Sequence, residues 1–289
     1  MSFKGYYLSY EIKTPIIVGY NDPMGSERTR YYIPPVNMVG AFAASLSRNS
    51  SSSTGHMRRL DEFFKFSTFF LSHDGINALY PRLTPEGSLF YGTKGLSLLD
   101  FTGRFISSKA GLQQYGLPRS LTESEFIVPK SGLSGEQNYL VGYIFVKQGA
   151  EKEGFGSWLH CLKQLCLGEE FSYGLGRTVL KELREVGPQK GEDLLFSIEG
   201  IKFILEKDEV IVSYEVPSPL LSHAFIDNER GKIAGIYGVK EPVRGHVDLL
   251  GGQVHFGREE AYWVPGTLIY PHGDCVEFRI GKHGIWYLI

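Results

Sequence analysis

Tyr139-Leu140-Val141-Gly142-Tyr143-Ile144-Phe145-Val146-Lys147 is built almost entirely of β-branched and aromatic residues and predicts a central strand. Upstream of it, Tyr6 to Ile12 alternates with the period of two that marks a half-buried strand, and Pro15 closes the run. Ile33-Pro34-Pro35 then opens a stretch in which Val36, Val39, Gly40, Ala43 and Leu46 recur every three or four residues, a helix begun from proline. Gly40, with the small Ala41, Ala43 and Ala44, predicts close packing of that helix on a sheet, since an interior glycine otherwise costs about 1 kcal/mol. Downstream, Trp158, Leu159, Leu162, Leu165 and Cys166 predict a second helix over about 156–167, with Gly168 as its C-cap. The loop Gly174-Leu175-Gly176-Arg177 leads from there into a strand over 178–183. The order is β, α, a long stretch, β, α, glycine loop, β.

The long stretch, about 50–135, carries short apolar runs broken by Gly and Pro, and reads as an insertion of hairpins and loops. It begins with Ser50 to Gly55, too polar to bury itself and therefore a surface loop. Gly187-Pro188-Gln189-Lys190-Gly191-Glu192-Asp193 is the best linker and divides a domain 1–188 from a β-rich domain 189–289. In the latter, strands are expected over 195–205, 209–216, 261–269, 275–280 and 285–289, with no strong helix.

With 289 residues, 42% hydrophobic and 21% charged, the chain can bury a full core and is neither disordered nor collagen-like. Its 35 glycines and 13% aromatics suit a strand-rich fold with many tight turns. Thirty basic against 32 acidic residues leave a net charge of −2, so any contact with nucleic acid must be local. Three cysteines, Cys161, Cys166 and Cys275, with no C-x-x-C pair, disfavour a disulfide framework or a four-cysteine zinc site and point to a reducing cytoplasm. No signal segment and no run of about 18 apolar residues is present, so neither export nor a membrane helix is expected.

Motifs for P-loop ATPases, zincins and serine hydrolases are absent, and Gly174-x-Gly176 precedes a strand, the reverse of the dinucleotide-binding order. The eight histidines are scattered with no i, i+4 pair, so neither a metal nor a cofactor is expected. Two features exceed ordinary structure. Arg28, Arg30, Tyr31, Tyr32 and Asn37 gather cations, aromatics and helix N-terminal amides in one place, a combination suited to RNA backbone and base stacking. Gly168 to Arg177 offers glycines, exposed amides and a guanidinium that can hold phosphate. Arg58 and Arg59, without an acidic neighbour between Arg48 and Asp61, form a small cationic patch.

Taken in this order, Ile33-Pro34-Pro35-Val36-Asn37-Met38-Val39-Gly40-Ala41 and Leu167-Gly168-Glu169-Glu170-Phe171-Ser172-Tyr173-Gly174-Leu175-Gly176-Arg177 resemble the first-helix start and the glycine-rich loop of the RAMP superfamily of CRISPR-associated proteins. The stretches Gly235 to Arg244 and Trp263 to Phe278 are similar to the C-terminal half of its Cas-five group, in the manner of the type III Cmr-three and Csx-ten subunits. The resemblance implies an α+β fold: a ferredoxin-like or RRM-like βαββαβ domain with a long insertion, then a second, β-rich, degenerate ferredoxin-like domain. It implies a non-catalytic subunit that holds the 5′ handle of the guide (crRNA) and contacts a large subunit and backbone RAMP subunits in antiviral defence. RNA would be held by Arg28, Arg30, Tyr31, Tyr32, Asn37, Gly40, Arg58, Arg59, Gly174, Gly176 and Arg177. The rival enzyme reading is a metal-independent endoribonuclease that processes precursor crRNA, with His56 beside Arg58 and Arg59 as its one candidate base. A structural scaffold without RNA contact is the third reading.

Overall fold

The computed structural model describes residues 2–21, 27–49, 59–92, 101–108, 121–228, 231–242, 248–250, 253–255 and 261–289. A central sheet contains β1 (Phe3–Ile12), β2 (Tyr32–Ile33), β3 (Phe64–Phe66), β4 (Phe69–Ser72), β5 (Tyr139–Lys147), β6 (Gln164–Cys166) and β7 (Arg177–Val186). Its order is β6-β7-β1-β5-β4-β2, with β3 also paired to β5. β1 pairs antiparallel with β5 on one side and β7 on the other. Helix α1 (Pro35–Asn49) connects β2 to the β3 region, and the single-turn α2 (Trp158–Cys161) lies between β5 and β6.

The centre of the sheet is buried on both faces, which explains why β5 reads as an unbroken apolar run. On one face Leu8, Tyr10 and Ile12 of β1 and Leu140 and Ile144 of β5 pack against Met38, Phe42 and Leu46 of α1 and against Trp158. On the other, Phe3, Tyr7, Val141, Tyr143 and Phe145 pack against a second sheet. That sheet contains β8 (Ile201–Leu205), β9 (Val210–Tyr214), β10 (Ala224–Phe225), β11 (Lys240–Pro242), β12 (Ala261–Trp263), β13 (Val276–Ile280) and β14 (Trp286–Leu288). Its order is β8-β9-β13-β14-β10-β12-β11. The protein is therefore mixed α+β and strand-rich, layered as helix, sheet and sheet. Among the described residues beyond 188 there are strands and 3-10 turns but no α-helix. No helix of the described residues is long and apolar enough to cross a membrane.

Four expectations need correction. The helix over 156–167 is only one turn long, and Gln164–Cys166 pairs with Arg177 to Val179 as a strand. Exposed Gln164 followed by buried Leu165 and Leu167 satisfies a period of two as well as a helical spacing. Gly168 consequently ends a strand rather than a helix. The stretch read as an insertion from about 50 supplies β3 and β4 to the central sheet, because Phe64, Phe66, Phe69 and Phe70 are fully buried there. Residues 195–205 yield a strand only from Ile201, after a 3-10 turn at Leu195–Ser197. Finally, Gly40 faces away from the sheet, and a Cβ there would meet nothing within 4 Å.

The glycine that close packing does require is Gly142, where a Cβ would lie 2.5 Å from the ring of buried Phe69. Gly142→Ala should therefore cost about 1–3 kcal/mol by overpacking. Gly40→Ala, at an open helical position, should stabilise by about 0.5–1 kcal/mol. Urea unfolding of the two variants checks both signs.

Candidate functional site

The residues from Arg28 to Tyr32 run between two elements. Glu27–Thr29 pairs with Gly19–Asn21, and Tyr32 and Ile33 pair with Phe70 and Phe69 of β4. This segment forms one wall of a cleft of about 290 Å³, near the lower end for a small-ligand site. The hairpin Pro81–Leu83/Leu89–Tyr91 and the loops around Val239 and Val264–Thr267 complete it. Tyr31 stands edge-on to Tyr91, ring centroids 5.7 Å apart. Its hydroxyl donates to the Glu125 carboxylate (3.1 and 3.2 Å), and burial, together with that carboxylate, pushes the phenol up to about 12. The phenol therefore stays neutral and fixed. Arg28 is exposed and lines the cleft, as do the exposed Leu89 and Val239. Thr267, behind this wall, is buried, and among the described residues its hydroxyl has no hydrogen-bond partner, an unusual state for a buried polar atom.

Arg30 and Tyr32, both expected to face RNA, are turned inward. The Arg30 guanidinium donates to Glu241 Oε1 from Nε (3.3 Å) and Nη2 (3.1 Å), and to the Gly19 carbonyl from Nη1. The same carboxylate oxygen lies 2.6 Å from His223 Nε2. The Tyr32 hydroxyl is 3.4 Å from that nitrogen, and its ring packs on Phe70 and His223, so no face remains for a base. Burial holds His223 below its ordinary value, and Arg30 adds to this although Glu241 opposes it. Burial raises the Glu241 carboxyl, but its His223 hydrogen bond and the Arg30 charge outweigh that and hold it low. A neutral His223 donating from Nε2 to an ionised Glu241 fits both directions. The cluster ties the segment before β2 to β11, across the two sheets.

The glycine loop is anchored on the strap from Pro15 to Gly19. Gly168 and Gly176 have φ of +83° and +79°, and a Cβ would strike the carbonyl oxygens of Ile17 and Leu167 respectively. Glu169 N donates to Ile17 O (2.8 Å) and Gly176 N to Pro15 O (2.7 Å). Arg30 N donates to Val18 O of the same strap (2.9 Å), so two motifs about 140 residues apart in sequence are joined through five residues. Gly174 sits at φ +84° in open space. Arg177 is exposed, and its guanidinium has no hydrogen bond or ion pair among the described residues. Phe171 and Tyr173, not singled out from the sequence, are 70% and 81% exposed. Nothing local in the sequence marks them as exposed, since Leu167 and Leu175 stand in the same motif.

Asn37 is half-buried, and its amide donates to Pro34 O, so that helix N-terminal group is already satisfied (3.0 Å). Gly40 lies on the open face of α1. Arg59 is not an unneutralised cation: it pairs with Glu62 and Glu153, each at 3.1 Å, and stacks on Phe63. Glu153 is too distant in sequence for a local census of acids to find. His56, Arg58 and the loop 50–55 lie outside the described residues. Among the described residues no group of three or more His, Cys, Asp or Glu could hold a metal.

No protein-family model matches the chain, and no curated protein matches it. A chain from the structure of the type III-B Cmr-beta bound to cognate target RNA and AMPPnP is similar at 13% identity and a TM-score of 0.51, over 92% of this chain and 86% of that one. A CRISPR protein from Archaeoglobus fulgidus matches at 12% identity and a TM-score of 0.40, over 96% and 94% of the two chains. Oligomeric Cmr4 from Pyrococcus furiosus matches at 11% and 0.33, over 64% and 100%. The shared fold is read from the first of these.

Because Arg30 and Glu241 are a largely buried pair, Arg30→Ala should destabilise the protein by about 3 kcal/mol, leaving a carboxylate uncompensated. Thermal melting checks this. The unfolded chain protonates His223 near its ordinary 6.5 while the folded chain resists, so acidification below that value favours unfolding. Glu241 adds a loss of the same sign below its ordinary 4.5. The urea midpoint should thus fall between pH 7.5 and 5.5, and His223→Gln should flatten that fall.

Proposed function

We propose that this chain is a non-catalytic RNA-binding subunit of a CRISPR effector ribonucleoprotein, holding the 5′ handle of the guide and bridging the large subunit and the backbone RAMP subunits. The observation that carries the reading is a fold shared over 92% of the chain with a chain from an RNA-bound type III-B assembly. The strand order β7-β1-β5-β4, with α1 between β1 and β4 and α2 between β5 and β7, supports reading the first part as a βαββαβ unit. The strands from β8 onward then represent the second, degenerate unit, with the division near residue 188.

RNA contact is assigned to the residues left at the surface. Arg28 at the cleft and Arg177 beside the glycine loop take phosphates. The cleft beside Tyr31 and Tyr91 takes one unpaired nucleotide, with apolar walls for the base. Arg30, Tyr32 and Arg59 support this surface from within or are held by carboxylates. A net charge of −2 fits a subunit that shares one RNA with its neighbours better than a protein that binds RNA alone.

The test is to purify the chain with the subunits encoded beside it and sequence the RNA recovered. Species sharing one 5′ end are expected. Arg28→Ala and Arg177→Ala should each weaken guide binding and reduce the slope of log affinity against log salt by about one unit. Unchanged binding by both variants in the assembled complex overturns the map, and an assembly without RNA overturns the function.

A further inference from the structure

Glu241 and Tyr91 both line the cleft beside Tyr31, and each is only 8% exposed. The hydrogen bonds of the Glu241 carboxylate all end on one oxygen: Arg30 Nε (3.3 Å), Arg30 Nη2 (3.1 Å) and His223 Nε2 (2.6 Å) meet at Oε1. Among the described residues Oε2 has no partner, and neither has the Tyr91 hydroxyl. Neither atom is sealed from solvent. A side chain covered on almost every side that still keeps an open polar atom, on a residue lining a cleft, opens into that cleft. Water serves such atoms in the empty protein, and a ligand that displaces the water must supply hydrogen bonds in its place.

The chemistry of that ligand follows from the carboxylate. Its hydrogen bond from His223 and the charge of Arg30 keep Glu241 ionised, and an ionised carboxylate oxygen can only accept. Arg30 already balances its charge, and Arg28 stands exposed at the same cleft, so Oε2 calls for a neutral N–H rather than a second cation. Phosphate brings only acceptors and is repelled there. The walls offered by Tyr31, Leu89, Val239 and Pro265 are apolar, and about 290 Å³ admits one small planar group rather than a folded segment of protein. A ring with apolar faces and neutral N–H groups on its edge is a nucleobase.

We propose that this cleft selects a base carrying an exocyclic amino group, adenine, cytosine or guanine, over uracil, the amino N–H donating to Glu241 Oε2. A carboxylate that accepts from an amino group is one of the regular pairings by which side chains read base edges. The N3–H of uracil lies between two carbonyls, so bringing it to Oε2 sets a carbonyl oxygen against the carboxylate. The Tyr91 hydroxyl, able to donate or accept, serves another polar atom of the same nucleoside. The proposal rests on the reading of this cleft as a nucleotide site.

The experiment replaces Val239, 61% exposed and lining the cleft, by a photo-crosslinking phenylalanine analogue in the complex assembled from this chain and the subunits encoded beside it. Sequencing of the crosslinked guide should find one position, occupied by A, C or G. Guides are then made in which that base is exchanged for its counterpart without the amino group (purine for adenine, pyrimidin-2-one for cytosine, hypoxanthine for guanine) or for uracil. Each should compete about tenfold or more weakly for the wild-type complex, because an ionised acceptor is left without its donor. The bases are altered rather than Glu241, since that side chain also ties the two sheets together. Undiminished competition by the amino-deleted guide, uracil at the crosslinked position, or a bound guide that does not crosslink overturns the proposal while the guide-holding function stands. If the assembly carries no RNA, that function fails, and adenosine, cytidine, guanosine and uridine monophosphates are titrated against the full chain. Preference for the three amino-bearing nucleotides then sustains the proposal, and equal binding or none overturns it.

Discussion

The burial of β5 on both faces is the constraint from which the rest of the architecture follows. Leu140, Ile144 and Val146 belong to the core beneath α1, whereas Val141, Tyr143 and Phe145 belong to the core shared with the second sheet. A strand with two dry faces cannot serve as the outer wall of a single domain, so the two cores have this sheet as their common boundary. Gly142 shows how tight that boundary is, because the absence of its side chain is what lets Phe69 cross the strand.

The Arg30, Glu241 and His223 cluster does for the edges of the sheets what β5 does for their centres. Glu241 on β11 receives a cation from the first sheet's side and an imidazole from the segment before β10. A guanidinium committed in this way is withdrawn from the surface, yet it fixes the backbone on which Arg28 and Tyr31 stand. Arg28 is thus oriented by a neighbour that never meets solvent fully.

Much of this was legible in local sequence. The strand at Tyr139–Lys147 and the start of α1 beyond Pro34 were set by residue type and by proline's fixed φ, both local causes. What could not be read depends on partners distant in the chain. Arg30 and Arg59 look like available cations until Glu241 and Glu153 are brought to them. Tyr32 looks like a stacking ring until Phe70 and His223 cover it. The segment 156–167 failed for a different reason, because its apolar spacing satisfies two periodicities and strand pairing with β7 decided between them. In the glycine loop, the motif was visible but the exposure of Phe171 and Tyr173 was not, since exposure is a property of what surrounds a residue.

The place of β14 in the second sheet bears on how the chain leaves the ribosome. Trp286–Leu288 lies between β13 and β10, pairing antiparallel with the first and parallel with the second, and Trp286 is almost wholly buried. Every strand of the central sheet has been synthesised once residue 186 has emerged, but the second sheet cannot close until residue 288 has done so. Throughout that interval the face bearing Phe3, Tyr7, Tyr143 and Phe145 waits uncovered on a nascent chain. Elongation speed across the second half therefore sets how long an aromatic wall is offered to chaperones or to other unfinished chains.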